Sequence, residues 1–215
     1  MSDADRAMGR FMVLCGDSRL AMKSIPTGVV DSIITDPPYR GFEFNNENYF
    51  GVLDPFLAQI TRCLGDGGRL AISQPEHRLK QLTQKLGAGS VIRVIDAFAD
   101  RRGDDAFFFA QNAAANKRPR IAQWTGLPES NHPNPRDVNK MSELVELMSA
   151  PGDLILDPFC GSGAIGLAAV LLGRNYVGIE LERGRAEDAR RRFLEIGAAE
   201  LADIDWRRGR DSNPR

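Results

Sequence analysis

Two adjacent prolines, Pro37 and Pro38, set the first hard limit on what this chain can fold into. Neither donates a backbone N–H, so no sheet ladder continues through them, and the turn they make is held extended. They follow Val29-Val30-Asp31-Ser32-Ile33-Ile34, a short β-branched run of the kind buried in a parallel sheet. Thr35-Asp36-Pro37-Pro38-Tyr39 is therefore a rigid acidic and aromatic tip at the carboxyl end of a strand, the edge at which open α/β sheets bind ligands. Asp-Pro also opens ordinary turns. Strand, rigid turn and aromatic nevertheless fall in the order a site requires.

The rest of the chain repeats the alternation. Strands are expected at 11–14, 29–34, 69–73, 91–99, 106–110, 153–156 and 176–179. Phe50, Leu53, Leu57, Ile60 and Leu64 step by three and four, as in an amphipathic helix, which Gly65-Asp66-Gly67-Gly68 is expected to end. Further helices are expected over 18–25, from Pro75 through Leu86, over 141–148, over 164–172, and through Ala186, Ala189, Phe193 and Ile196. Such alternation implies an α/β fold, a mostly parallel sheet with helices on both faces. A single domain over 10–200 is expected, with 1–9 and 203–215 as disordered tails. Residues 40–48 read as a mobile loop. Periodicity fails from Gln111 to Arg136, which holds Lys117-Arg118-Pro119-Arg120 and Trp124, and its length marks it as functional or disordered.

Composition narrows the partners. At net charge −1, any nucleic acid must be held by local basic patches. Three spaced cysteines and two histidines argue against a disulfide framework, a zinc site or another metal. The polar first ten residues and the absence of a long apolar run predict no signal peptide and no membrane span, with the cytoplasm as default location.

Gly161-Ser162-Gly163-Ala164-Ile165-Gly166 matches the dinucleotide fingerprint between a strand and a helix, with Glu180 on the next strand tip for a ribose diol. Asp157 at the mouth of that loop opposes a pyrophosphate on the helix N-terminus. A ligand with positive charge and no phosphate suits it, and S-adenosylmethionine is such a ligand.

With these motifs the chain resembles the amino-methyltransferases of DNA, which modify adenine N6 or cytosine N4. It is similar to the permuted group, in which Asp36-Pro37-Pro38-Tyr39 precedes Asp157-Pro158-Phe159-Cys160-Gly161-Ser162-Gly163. The likeness covers roughly 12–192. It implies a Rossmann-like S-adenosylmethionine-dependent methyltransferase fold with circularly permuted motif order. It also implies cofactor contacts from Asp17, Asp157, Pro158, Phe159, Gly161, Ser162, Gly163 and Glu180. His132-Pro133-Asn134-Pro135-Arg136 occupies the place of a family His-Pro stretch, which carries a cofactor role to Arg136. The Asp-Pro-Pro-Tyr form favours adenine.

An exocyclic amine is a poor nucleophile because its lone pair is delocalised into the ring. Acceptors for both N–H hydrogens, the Asp36 carboxylate and the Pro37 carbonyl fixed by Pro38, favour a pyramidal nitrogen. Tyr39 offers a face for a base flipped out of the duplex. Phe42 or Phe44 closes the other side or packs on the core. No Pro-Cys pair is present for C5 chemistry. Arg40, Lys117, Arg118 and Arg120 are candidate DNA contacts, which position without reading sequence; the last three are equally a solvated loop. The short interval before Asn131 predicts a relaxed target, or a second copy or separate specificity subunit that reads sequence. Other readings are methylation of RNA or of a protein glutamine, and a catalytically silent DNA-binding subunit.

Overall fold

The computed structural model describes residues 7–38, 49–74, 76–87, 89–94, 106–112, 123–131 and 135–201. Its described strands are β1 (Arg10–Cys15), β2 (Val30–Thr35), β3 (Leu64–Ser73), β4 (Ser90–Val94), β5 (Ala106–Gln111), β6 (Leu154–Asp157), β7 (Asn175–Glu180) and β8 (Ala199–Glu200). The helices are α1 (Ser18–Ala21), α2 (Tyr49–Cys63), α3 (Glu76–Leu86), α4 (Val138–Met148), α5 (Ala164–Leu171) and α6 (Arg183–Glu195). One sheet runs β4-β5-β3-β2-β6-β7-β1-β8. β5 runs antiparallel to β3 and β4, and the other pairings are parallel. The expected α/β class with a mostly parallel sheet is what the chain adopts.

Each central strand buries both faces, which explains why its sequence is apolar without alternation. Ile34, Ile155 and Tyr176 enter one layer with Met141, Leu144, Val145, Leu167 and Phe193 of α4, α5 and α6. Their neighbours Ile33, Leu156 and Val177 point the other way, toward Leu53, Phe56, Leu57 and Ile60 of α2. The small residues of α5 have a steric cause: a Cβ on Gly166 would come within 2.4 Å of the Tyr176 ring.

Several boundaries differ from expectation. α1 ends at Ala21 and tightens into a 3-10 turn, Met22–Ser24, instead of continuing to Ile25. β3 begins directly after α2 and takes in the glycines read as a helix stop. Gly65 lies so close to the Gly28 carbonyl that a Cβ would sit 3.1 Å from it, and the β2–β3 register shifts between Val30 and Ser32. Close backbone packing uses Gly65 and Gly68, whereas Gly67, at φ 71° with open space around it, serves a turn. β8 was not foreseen, since two residues carry no periodic signal. The loop 40–48, residues 95–105, and the tails 1–6 and 202–215 lie outside the described residues. Within the first nine, the Gly9 N–H donates to the Val170 carbonyl at 2.9 Å. Among the described residues no helix is long and apolar enough to cross a membrane.

Candidate functional site

Four neighbouring parallel strands, β2, β6, β7 and β1, bring their carboxyl ends to one edge of the sheet. That edge collects the Asp36-Pro37-Pro38 tip, the loop after Asp157, Glu180, and the turn at Asp17. Cross-bonds lock them together. The Cys160 N–H donates to the Ile179 carbonyl at 3.0 Å and the Gly16 N–H to the Glu180 carbonyl at 2.8 Å. The Ser18 hydroxyl donates to the Pro158 carbonyl, tying the first turn to the glycine loop.

Asp157 does not stand at the mouth of the loop as the sequence suggested. It is 1% exposed and accepts from Thr35 Oγ1 at 2.7 Å, the Phe159 N–H at 3.1 Å and the Tyr176 hydroxyl at 3.2 Å. Burial raises its pKa to about 7 against these three bonds, with the Asp36 charge adding to the rise. Tyr176 is itself pushed well above its ordinary value, by burial and then by the Asp157 charge. Asp157 is thus a fastening between the two loops. Selection of a cationic ligand therefore falls to its neighbours.

Glu180 is one such neighbour, and it too is occupied. Its Oε2 accepts from the Gly161 N–H and its Oε1 from the Glu182 N–H, both at 2.9 Å. A carboxylate has about four lone-pair sites, so two bonds leave acceptor capacity for a diol. Gly161 and Gly163 adopt φ of 52° and 81°, conformations side chains rarely take, and Gly163 also abuts Phe193 and Ala189. The Ser162 carbonyl accepts from Arg192 Nη1 at 2.6 Å. Pro158 is buried, and Phe159 packs on Phe56 with ring centroids 4.9 Å apart. Asp17 caps α1 through the Arg19 N–H at 2.8 Å, and the Arg19 guanidinium on its carboxylate holds its pKa below the ordinary value.

Arg136 lies beside the rigid turn. Its Nε donates to Asp36 Oδ2 at 2.8 Å, so it sits on the candidate catalytic carboxylate. Trp124 packs against the core, and its backbone N–H and carbonyl both bond the Asn139 amide. Onward to Asn131 the segment is fastened to α6. Pro128 O accepts from Arg192 and Glu129 O from Arg191, while Asp188 accepts from the backbone and side-chain nitrogens of Asn131. Residues 124–131 of the aperiodic stretch 111–136, expected to serve as a short recognition loop, are therefore a strap on the α/β body. Tyr39, Arg40, Phe42, Phe44, Lys117, Arg118, Arg120 and the 132–134 part of the His-Pro stretch lie outside the described residues. Sequence reasoning missed Thr35, Tyr176, Asp188 and Arg192. Thr35 had a signal, since it stands directly before Asp36 at a strand end.

A protein family described as DNA methylase matches residues 112–191. YubD of Escherichia coli K12, which bears a methylase name, is 27% identical over 226 aligned residues, or 93% of this chain and 97% of its own. The type II methyltransferase M2.MboI of Moraxella bovis is 41% identical over 78 residues, which span 36% of this chain and 28% of that protein. Among solved structures, M1.HpyAVI in complex with SAM superposes with a TM-score of 0.67 at 23% identity, covering 85% of this chain and 98% of that one. The chain thus shares the α/β architecture of that structure. Over residues 112–191 it is also similar to the family described as DNA methylase.

Proposed function

We propose that this chain transfers a methyl group from S-adenosylmethionine to an exocyclic amino group of a DNA base, adenine N6. The observation that carries the reading is the Thr35–Asp157 hydrogen bond, which holds the Asp36 tip against the glycine loop, acceptor beside cofactor cradle. Bound there, S-adenosylmethionine supplies an electrophilic methyl on sulfur. Glu180 would hold the ribose hydroxyls and the backbone of 161–163 would lie along the amino-acid portion. Asp17 and Phe159 would flank the adenine side.

The Asp36 carboxylate and the Pro37 carbonyl accept the two N–H hydrogens of the target amine, which frees the lone pair for attack. Tyr39 stacks on a base flipped from the duplex, because a paired base is out of reach. Asp36 lies near the developing positive charge on nitrogen and stabilises it. Arg40, Lys117, Arg118 and Arg120 hold backbone phosphates. The choice of adenine rests on the resemblance of Asp36-Pro37-Pro38-Tyr39 to the adenine form of the motif; cytosine N4 is the alternative within the same family. The remaining proposals concern context: one catalytic domain over 10–200, a cytoplasmic restriction–modification role, and sequence reading shared with a second copy or a specificity subunit.

The test is incubation with labelled S-adenosylmethionine and mixed-sequence DNA, followed by digestion to nucleosides. Label in N6-methyldeoxyadenosine supports the reading, and label in N4-methyldeoxycytidine changes the base alone. Label only in RNA or in protein glutamine, under parallel incubations, overturns DNA as substrate.

A further inference from the structure

We propose that Arg136 is an exchange latch on the target-amine site. It holds Asp36 while no DNA is bound, and moves to a backbone phosphate when DNA delivers the base. The inference rests on the catalytic reading of Asp36 above. The pair is direct, Nε to Oδ2 at 2.8 Å, between residues 100 apart in sequence. The two side chains are 23% and 21% exposed, so solvent reaches both and neither charge is sealed into the core. The backbone beside Arg136 is fixed, since Asp137 caps α4 by accepting from the Asn139 N–H at 2.8 Å. A long side chain on a fixed base can exchange partners without moving the fold.

Electrostatics argues against the guanidinium staying through the reaction. The nitrogen that accepts the methyl gains positive charge while one N–H points at Asp36. A guanidinium on the same carboxylate would lie within about 5 Å, and at an effective dielectric near 20 that repulsion slows transfer by roughly a hundredfold. The released guanidinium can then take an anion. A flipped nucleotide brings one with it, the phosphodiester, whose paired oxygens match the arginine fork. Asp36 is thereby screened until a nucleic-acid strand supplies the replacement.

The experiment measures affinity for a labelled mixed-sequence duplex against salt concentration, for the full chain and for Arg136→Gln, alongside calorimetry with S-adenosylhomocysteine and thermal melting. The latch predicts that the slope of log affinity against log salt becomes shallower by about 0.9 in the variant, the loss of one phosphate contact. Affinity for S-adenosylhomocysteine should be unchanged. Arg136→Lys, which keeps the charge, should restore the slope and guards against a folding defect in the glutamine variant. An unchanged slope would make Arg136 a fixed partner of Asp36 and overturn the latch. A loss of cofactor affinity of roughly tenfold or more would overturn it in favour of a cofactor clamp. Failure of the wild-type chain to bind any duplex would instead overturn the functional reading, and the latch with it.

Discussion

Thr35 and Asp157 stand 122 residues apart in sequence and share a 2.7 Å hydrogen bond in a fully buried position between β2 and β6. Thr35 is the last residue before the Asp36-Pro37 tip, and Asp157 the last before the glycine loop. Any shift of one loop is passed to the other through this bond. Geometry at the reacting centre is sensitive to such shifts, since a misplacement of about 1 Å can cost on the order of a hundredfold in rate.

Thr35→Val keeps the shape and removes the donor. Asp157 then loses one of three bonds in a dry site, which costs about 1–3 kcal/mol of stability. Urea unfolding measures that loss. Steady-state kinetics should show a lower kcat with a smaller change in KM for S-adenosylmethionine, because the substitution moves the tip more than the cradle.

Asp157 also gives a signed dependence on pH. Its folded pKa, about 7, is above the ordinary 3.8. Between these values the folded chain holds a proton that the unfolded chain has released, so this group's contribution falls as pH rises from about 4 to 7. Three units correspond to roughly 4 kcal/mol. Asp17 and Glu200, whose pKa values are lowered by their arginine partners, act in the opposite sense, so the comparison must be with Asp157→Asn. Unfolding measured at pH 5 and pH 7.5 should show wild type losing stability relative to the asparagine variant at the higher pH. An identical pH dependence in both would contradict the burial argument.

Arg192 spans two parts of the site, donating to Ser162 O at 2.6 Å and Pro128 O at 3.1 Å. It is 3% exposed, and burial lowers its pKa. Arg192→Met keeps much of the volume and leaves both carbonyls without this donor. The strap over 128–131 should open to limited proteolysis, and the melting temperature should fall by several degrees, as expected for about 2 kcal/mol. Unchanged cleavage in that segment would show that Asp188 and Arg191 hold it unaided.

The sequence made the sheet legible because its central strands are buried on both faces and carry compact runs such as Ile33-Ile34 and Leu154-Ile155-Leu156. Prolines and glycines marked where those strands end, so the edge carrying the site could also be located. What stayed hidden depended on contacts distant in sequence. Asp157 looked exposed because a carboxylate before a glycine loop gives no sign of a threonine 122 residues away that will cover it. The ion pair of Arg136 left no local sign because its partner, Asp36, is 100 residues earlier. The strap looked featureless because irregular backbone satisfied by Arg191, Arg192 and Asp188 leaves no periodic trace.

In the proposed reaction Asp36 acts on the target amine while a separate cradle holds the cofactor. Asp36→Ala, assayed for methyl transfer to DNA and by calorimetry with S-adenosylhomocysteine on the same preparation, tests it most directly. Transfer should be abolished while cofactor affinity stays within several-fold of wild type. Turnover retained in the variant would contradict it.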